Sequence, residues 1–135
     1  MAKYRTPSKK SKYYLSKEDY LTAVHYALRY PQWQGEYKAL ADMGQAIRYD
    51  RDKIQSSPKK DSLEIKAIKM AEISKKMDLI DRIIHDVSKG MDDYIRLSVC
   101  YGMTYYQLKQ KNIPCSRKLY SDIRGQFYYR LIEKI

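Results

Sequence analysis

The stretch that decides the fold is YGMTYYQLKQKNIPCSRKLYSDIRGQFYYRLIEK, which runs from Tyr101 to Lys134. Its first part predicts a short helix ending near Lys111, because Asn112 is a residue type that tolerates the left-handed conformation found at helix ends. Ser116 then predicts the N-cap of a second helix, whose apolar residues recur at helical spacing: Tyr120, Ile123, Phe127 and Leu131. Two helices joined by so short a turn predict a helix-turn-helix.

The second helix of this motif is basic on the side away from its apolar row. The residues predicted to face outward are Arg117, Lys118, Ser121, Arg124 and Tyr128. In helix-turn-helix proteins the second helix lies in the major groove of DNA, with its N-terminal residues on base edges. We therefore expect base-edge or nearby contacts from four residues: Arg117, Lys118, Ser121 and Arg124. Phosphate contacts are expected from Lys109, Lys111, Tyr128 and Arg130.

The net charge of +11 is concentrated at the two ends of the chain. Residues 1–15 contain five basic residues and no acid, residues 16–93 contain fourteen of each sign, and residues 94–135 contain eight basic residues against two acids. Charge that served only solubility would be spread along the chain, whereas neutralising phosphates requires it where the nucleic acid lies. Helix spacing alone would equally allow an ordinary helical hairpin of the core. The charge distribution favours a helix-turn-helix whose partner is double-stranded DNA.

The remaining sequence predicts an all-α protein, since strand-like alternation between turn signals is hard to find. Ser16 and Asp19 predict a capping box that opens a helix reaching Tyr30, where Pro31 ends or kinks it. A second helix is expected from Trp33 to Lys53, followed by a polar loop at Gln55–Lys60. A third is expected from Ser62 to Lys89, opened by a capping box of Asp61 and Glu64.

The third helix carries apolar residues at a and d spacing: Leu63, Met70, Ile73, Met77, Ile80, Ile84 and Val87. We expect it to fold back on the second helix as an antiparallel, coiled-coil-like hairpin. Further apolar residues widen the stripe: Ile65, Ile68, Leu79 and Ile83. They would contact either the first helix or a second subunit, so a homodimer through the hairpin is one of two alternatives. The predicted regions are a disordered basic tail (1–15), a hairpin or assembly region (16–89) and the helix-turn-helix (90–135).

Nothing in the sequence indicates an enzyme. His25 and His85 stand alone on helices, and Cys100 with Cys115 forms neither a disulfide framework nor a metal-ligand set, so we expect no metal and no cofactor. No apolar run resembles a secretion signal or a membrane span. The expected location is the cytoplasm, with no membrane partner.

Three stretches carry a resemblance: YPQWQGEYKAL, YDRDKIQSSPKKDSLE and GMTYYQL with IPCSRKLYSDIRGQFYYRL. They resemble the RinA/ArpU-like late transcription regulators of phages and prophages, whose C-terminal part is similar to the helix-turn-helix of sigma factor region four. The resemblance implies a regulator that binds promoter DNA, with RNA polymerase as a further partner. The family helix carries consecutive basic residues where this chain has Ile123, Arg124 and Gly125. Glycine inside a helix costs about 1 kcal/mol relative to alanine, so either another group approaches the backbone at Gly125 or DNA affinity is reduced.

Two further functions fit the same sequence. A small terminase-like DNA-packaging protein also joins a helix-turn-helix to an oligomerising hairpin, and a ring-forming assembly would favour it. A phage anti-defence inhibitor, of the anti-CRISPR kind, would instead use the basic helix to bind a protein or a guide RNA.

Overall fold

The structure, a computed structural model, describes residues 12–53 and 60–135, and the side chains of 44–61 are outside the description. These residues form six helices: α1 (Lys17–Leu28), α2 (Tyr30–Lys53), α3 (Lys60–Val87), α4 (Asp92–Val99), α5 (Tyr105–Gln110) and α6 (Arg117–Lys134). No strand occurs within the described ranges, and the prediction of an all-α protein is confirmed.

The boundary between α1 and α2 follows from capping and proline chemistry. Ser16 caps α1 as predicted, and its Oγ accepts a hydrogen bond from the Asp19 backbone N–H at 3.2 Å. The helix ends at Leu28, slightly before the predicted end, and α2 begins at Tyr30. Pro31 therefore lies in the first turn of α2, where its missing N–H has no helical acceptor to lose.

Contacts divide the chain into two compact units. The first unit contains α1, the end of α3 from Ile80 onward, and α4 to α6. Within it α1 packs mainly on α6 and also on α4, and α4 packs on α5. The core of this unit includes six fully buried apolar side chains: Ala23, Ile84, Ile95, Leu108, Phe127 and Leu131.

A polar network joins α2, α3 and α4 inside the first unit. The Tyr30 hydroxyl donates to the Asp81 carboxylate, with oxygen–oxygen distances of 2.9 and 3.0 Å, and Arg96 donates to Asp81 Oδ1 from Nε and Nη2 at 3.2 and 3.1 Å. Burial, with the hydrogen bond to Asp81 second, raises the pKa of Tyr30 to about 12. The hydroxyl is therefore a permanent donor that holds the start of α2 to α3.

The second unit, Pro31–Leu79, contains most of α2 and α3. Trp33 and Ile73 are buried in it, and Lys76 Nζ lies 5.6 Å from the centroid of the Trp33 ring. Among the side chains described in this unit, four large apolar ones are exposed: Tyr37, Met43, Ile65 and Ile68.

The predicted a and d row of α3 is buried only toward its C-terminal end. Its buried members are Ile73, Ile80, Ile84 and Val87, whereas Leu63, Met70 and Met77 are half-buried. Ile83, from the second stripe, is buried as well. The polar loop before α3 and the side chain of Asp61, with its predicted capping box, lie outside the described residues.

The chain before α1 is described from Lys12. Residues 12–15 differ from the prediction of a disordered tail that reaches residue 15, because Leu15 is buried and Tyr13 packs on Tyr129 with ring centroids 5.9 Å apart. The predicted disorder of residues 1–11 lies outside the described residues.

Candidate nucleic-acid interface

The start of α5 is a capping box. The Thr104 hydroxyl accepts from the Gln107 backbone N–H at 3.3 Å, and the Thr104 backbone N–H donates to Gln107 Oε1 at 2.9 Å. Two otherwise unpaired N–H groups are thus satisfied at the first turn of a helix only six residues long. Sequence reasoning did not single out this pair, although the Thr-x-x-Gln spacing is a signal that could have found it.

The turn between α5 and α6 has the geometry that the sequence predicts. Asn112 is left-handed, with φ of 68°, and the Ile113 N–H donates to the Leu108 carbonyl at 3.1 Å. Ile113 is buried, so it anchors the turn. Ser116 then caps α6, its Oγ accepting from the Leu119 backbone N–H at 3.2 Å.

Tyrosine hydroxyls hold α4, the turn and α6 together. Tyr105 donates to the Cys115 carbonyl at 2.8 Å and Tyr94 to the Lys111 carbonyl at 3.1 Å. The hydroxyl groups of Tyr120 and Ser98 are hydrogen-bonded at 2.6 Å inside the core. The Tyr105 hydroxyl is thus bonded within the fold, to a backbone carbonyl of the turn.

Five of the predicted contact residues lie exposed on this helical pair. They are Arg117, Lys118 and Ser121 in the first two turns of α6, and Lys109 and Lys111 at the end of α5. The first turn of α6 contains no acid. Within the described part of the chain none of the four cations forms an ion pair. Their charges are therefore available to an anionic partner. The unpaired backbone N–H groups in the first turn of α6 add further positive potential at the same place.

The prediction that Arg124 and Tyr128 face outward is wrong. The Arg124 guanidinium carbon lies 5.8 and 5.4 Å from the ring centroids of Tyr120 and Tyr128, and its Nη2 donates to the Tyr128 hydroxyl at 3.3 Å. Tyr128 is 2% exposed, and burial raises its pKa to about 12. The Tyr20 ring of α1 packs on Tyr128 at 5.3 Å. Arg124 and Tyr128, in the second half of α6, are therefore part of the contact between α6 and α1.

Arg130 is exposed but belongs to another side of α6. Twelve residues separate it from Lys118, which at 3.6 residues per turn is a rotation of about 120°. Its Nη1 lies 3.9 Å from Asp86 Oδ2, at the limit of an ion pair. The structure therefore separates Arg130 from the exposed residues at the start of α6.

Tyr13 is the neighbour of Gly125, at a distance that is ordinary van der Waals contact for a Cβ atom. A Cβ atom placed on Gly125 would lie 3.7 Å from Tyr13 Cβ and 4.0 Å from Tyr13 Cδ2. Gly125 follows Lys118 by two helical turns on the same face of α6. The chain that leads into α1 thus crosses the outward face of α6 just beyond its exposed basic start.

Among the described residues no group of three His, Cys, Asp or Glu side chains is arranged to hold a metal ion. His85 is instead hydrogen-bonded through Nδ1 to Asp92 at 2.9 Å. Cys100 is buried, which raises its thiol pKa to about 12, and Cys115 is half-buried. No helix in the described ranges has the length and apolar character needed to cross a membrane.

The five exposed residues at the end of α5 and the start of α6 thus supply four cations and one hydroxyl group. Comparison of the chain with protein-family models, with curated proteins and with solved structures finds no match.

Proposed function

We propose that the protein binds double-stranded DNA through a helix-turn-helix formed by α5 and α6, and that it acts as a transcription regulator of the phage or mobile-element type. The observation that carries the proposal is the exposed start of α6, where Arg117, Lys118 and Ser121 follow the N-cap with no acid in the first turn. Arg and Ser are side chains that hydrogen-bond base edges in the major groove. Regulation, and with it a cytoplasmic location, rests on the family resemblance, and the charge distribution supports DNA as the partner.

The base-reading part of α6 is shorter in this proposal than its sequence suggests. We no longer assign Arg124 and Tyr128 to the DNA contacts, because Arg124 packs on Tyr128 and Tyr128 packs on Tyr20 of α1. Base contacts are assigned to Arg117, Lys118 and Ser121, and phosphate contacts to Lys109 and Lys111. Helix-turn-helix proteins likewise place the N-terminal residues of the second helix on the bases.

The test compares a selected duplex with its scrambled counterpart at one salt concentration. The selected duplex is obtained from a random pool by the full chain. Arg117→Ala should weaken binding to it by about 1–3 kcal/mol and relax one base position. Lys109→Ala should weaken both duplexes alike. Equal losses on both duplexes for Arg117→Ala, Lys118→Ala and Lys109→Ala would contradict base recognition by α6.

Assembly is the second part of the proposal. Lys76 of α3 lies over Trp33 at the start of α2, a contact that an antiparallel α2–α3 hairpin would make. The exposed Ile65 and Ile68 support a homodimer through this hairpin, since they lie three residues apart on one helical face. Sedimentation of the parent and of Ile68→Asp tests it: the parent should be a dimer and the variant a monomer. A closed ring of many copies would favour the terminase-like alternative.

A further inference from the structure

We propose that Tyr105 is a positioning residue for DNA recognition: its ring and hydroxyl hold the start of α6 so that Arg117 and Lys109 keep a fixed register on the duplex. The inference deepens the proposed function and rests on it. It concerns discrimination between sequences, since the Tyr105 hydroxyl is bonded within the fold and is not itself assigned to DNA.

Tyr105 contacts the chain on both sides of the first residues assigned to bases. Its hydroxyl donates to the Cys115 carbonyl at 2.8 Å, immediately before the N-cap of α6. Its ring lies 5.2 Å from the Tyr120 ring, centroid to centroid, one turn into the helix. Arg117 and Lys118 lie between these two points. One side chain therefore holds both the entry of the chain into α6 and the rotation of the first turn.

The core holds the Tyr120 end of this contact. Tyr120 is buried, and its hydroxyl is hydrogen-bonded to that of Ser98 in α4 at 2.6 Å. The hydrogen bond to Cys115 adds a direction that ring packing lacks, because a hydrogen bond weakens steeply as it departs from linear geometry. Replacing the Tyr105 hydroxyl by hydrogen would leave the two rings packed and release the chain before the N-cap.

Tyr105 and an assigned phosphate contact belong to the same short helix. Lys109 follows Tyr105 by four residues, so the two are neighbours on one face of α5. The Lys109 charge is close enough to Cys115 to oppose the rise in its thiol pKa that burial causes. Phosphate contacts set the register of a protein on the duplex, and base contacts read sequence within that register. The Tyr105 hydroxyl therefore joins the helix that sets the register to the helix that reads bases.

A second tyrosine holds the other side of the turn. Tyr94 of α4 donates to the carbonyl groups of Lys111 and Asn112, at 3.1 and 3.4 Å, and these residues follow the last turn of α5. Tyr94 thus holds the α5 side of the turn, and Tyr105 holds the α6 side. Loss of the Tyr105 hydroxyl should act first on α6 and its base contacts.

The experiment compares Tyr105→Phe with the parent on the selected duplex and on its scrambled counterpart, at one salt concentration. The variant keeps every charge and every group assigned to DNA. Discrimination, the ratio of the two affinities, should fall by about three- to tenfold, the factor that corresponds to one hydrogen bond of ordinary net strength. Affinity for the scrambled duplex should stay within about twofold, because it depends on charge. Unchanged discrimination would overturn the inference.

Two matched substitutions separate positioning from other effects of a lost hydroxyl. Tyr106→Phe makes the same change one residue along α5, on a side chain that is 79% exposed. Tyr30→Phe removes a hydroxyl that is bonded to Asp81, in the contact between α2 and α3, and should lower the urea midpoint. Both variants should keep the discrimination of the parent. A loss in either control equal to that of Tyr105→Phe would contradict positioning by Tyr105.

A double-mutant cycle identifies the side chains through which Tyr105 acts. On the selected duplex Tyr105→Phe should cost about threefold or more in the parent, and less than about twofold in a chain with Arg117→Ala and Lys118→Ala. Equal costs in both backgrounds would overturn the inference.

The same variants distinguish failure of the inference from failure of the proposed function. If α6 does not read bases, the chain with Arg117→Ala and Lys118→Ala keeps the discrimination of the parent. If only the inference fails, that chain loses discrimination and Tyr105→Phe keeps it. Circular dichroism checks that each variant is folded at the temperature of the binding measurements.

Discussion

The Arg124 guanidinium lies over the ring of Tyr128, 5.4 Å from its centroid, and donates a hydrogen bond to the hydroxyl of the same residue at 3.3 Å. Both residues belong to the helix that we assign to DNA, four positions apart. Arg124 Nε is buried and has no hydrogen-bond partner among the described residues. The pair therefore marks the point along α6 where exposed residues give way to contact with α1.

Arg124→Ala should lower the stability of the fold and leave base preference unchanged. The substitution removes two cation–π contacts and leaves the buried Tyr128 hydroxyl without its donor, a destabilisation of about 1–3 kcal/mol. Urea denaturation followed by circular dichroism measures it. Lys118→Ala, exposed on the same helix, serves as the control and should change stability by about 0.5 kcal/mol at most. A stable Arg124→Ala protein with relaxed base preference would return Arg124 to the DNA interface.

Ile80→Ala should be among the most destabilising changes in α3. The Ile80 side chain is fully buried, and truncating such a residue to alanine costs about 2–5 kcal/mol through reduced burial and the cavity left behind. Lys75→Ala, at an exposed position of the same helix, is the control, with an expected change within about 0.5 kcal/mol. Thermal and urea unfolding measure both. Similar stabilities for the two variants would mean that the C-terminal part of α3 is not core.

The junction of α3 and α4 should make stability depend on pH. The hydrogen bond to Asp92 raises the pKa of His85. Hydrogen bonds, first from Ser88 and then from His85, lower the pKa of Asp92. A raised histidine pKa contributes stability that is complete below the unfolded value of about 6.5 and is lost as pH rises through the folded value. The lowered Asp92 pKa contributes stability above the unfolded value that is lost as pH falls through the folded one.

The variant His85→Gln isolates the histidine's part of this effect. The parent should exceed His85→Gln in stability by more at pH 6 than at pH 8, as measured by urea unfolding at both values. His25→Gln, on an exposed histidine of α1, is the matched control. A parent-to-variant difference that stays constant, or grows, between pH 6 and pH 8 would contradict a protonated His85 paired with Asp92.

The two thiols should differ in reactivity. Burial raises the pKa of Cys100 to about 12 and also raises that of Cys115, which is only half-buried. The thiolate is the reactive form, so iodoacetamide at pH 8 should alkylate Cys115 slowly and Cys100 only after unfolding. Mass spectrometry of tryptic peptides distinguishes the two sites. Alkylation of Cys100 at the rate of Cys115 in the native protein would show that the α4 core opens readily.

The sequence by itself determined the helical class and three of the signals at helix ends, although α1 ends earlier and α2 begins earlier than predicted. Ser16, Asn112 and Ser116 act on the backbone within a few residues of themselves, so the caps and the left-handed turn could be predicted locally. The all-α class could be predicted for the same reason. The exposed positions of Arg117, Lys118 and Ser121 could also be predicted, because no other helix of the described ranges covers these side chains.

Only the tertiary structure decided which faces of those helices are occupied. Helical spacing places Arg124 and Tyr128 at the edge of the outward side of α6, but it does not say that α1 packs there and brings Tyr20 to Tyr128. It likewise does not say that Tyr13, more than a hundred residues earlier in the chain, lies beside Gly125. Packing between segments distant in sequence depends on the shapes of both surfaces at once, and one helix's own pattern contains only half of that information.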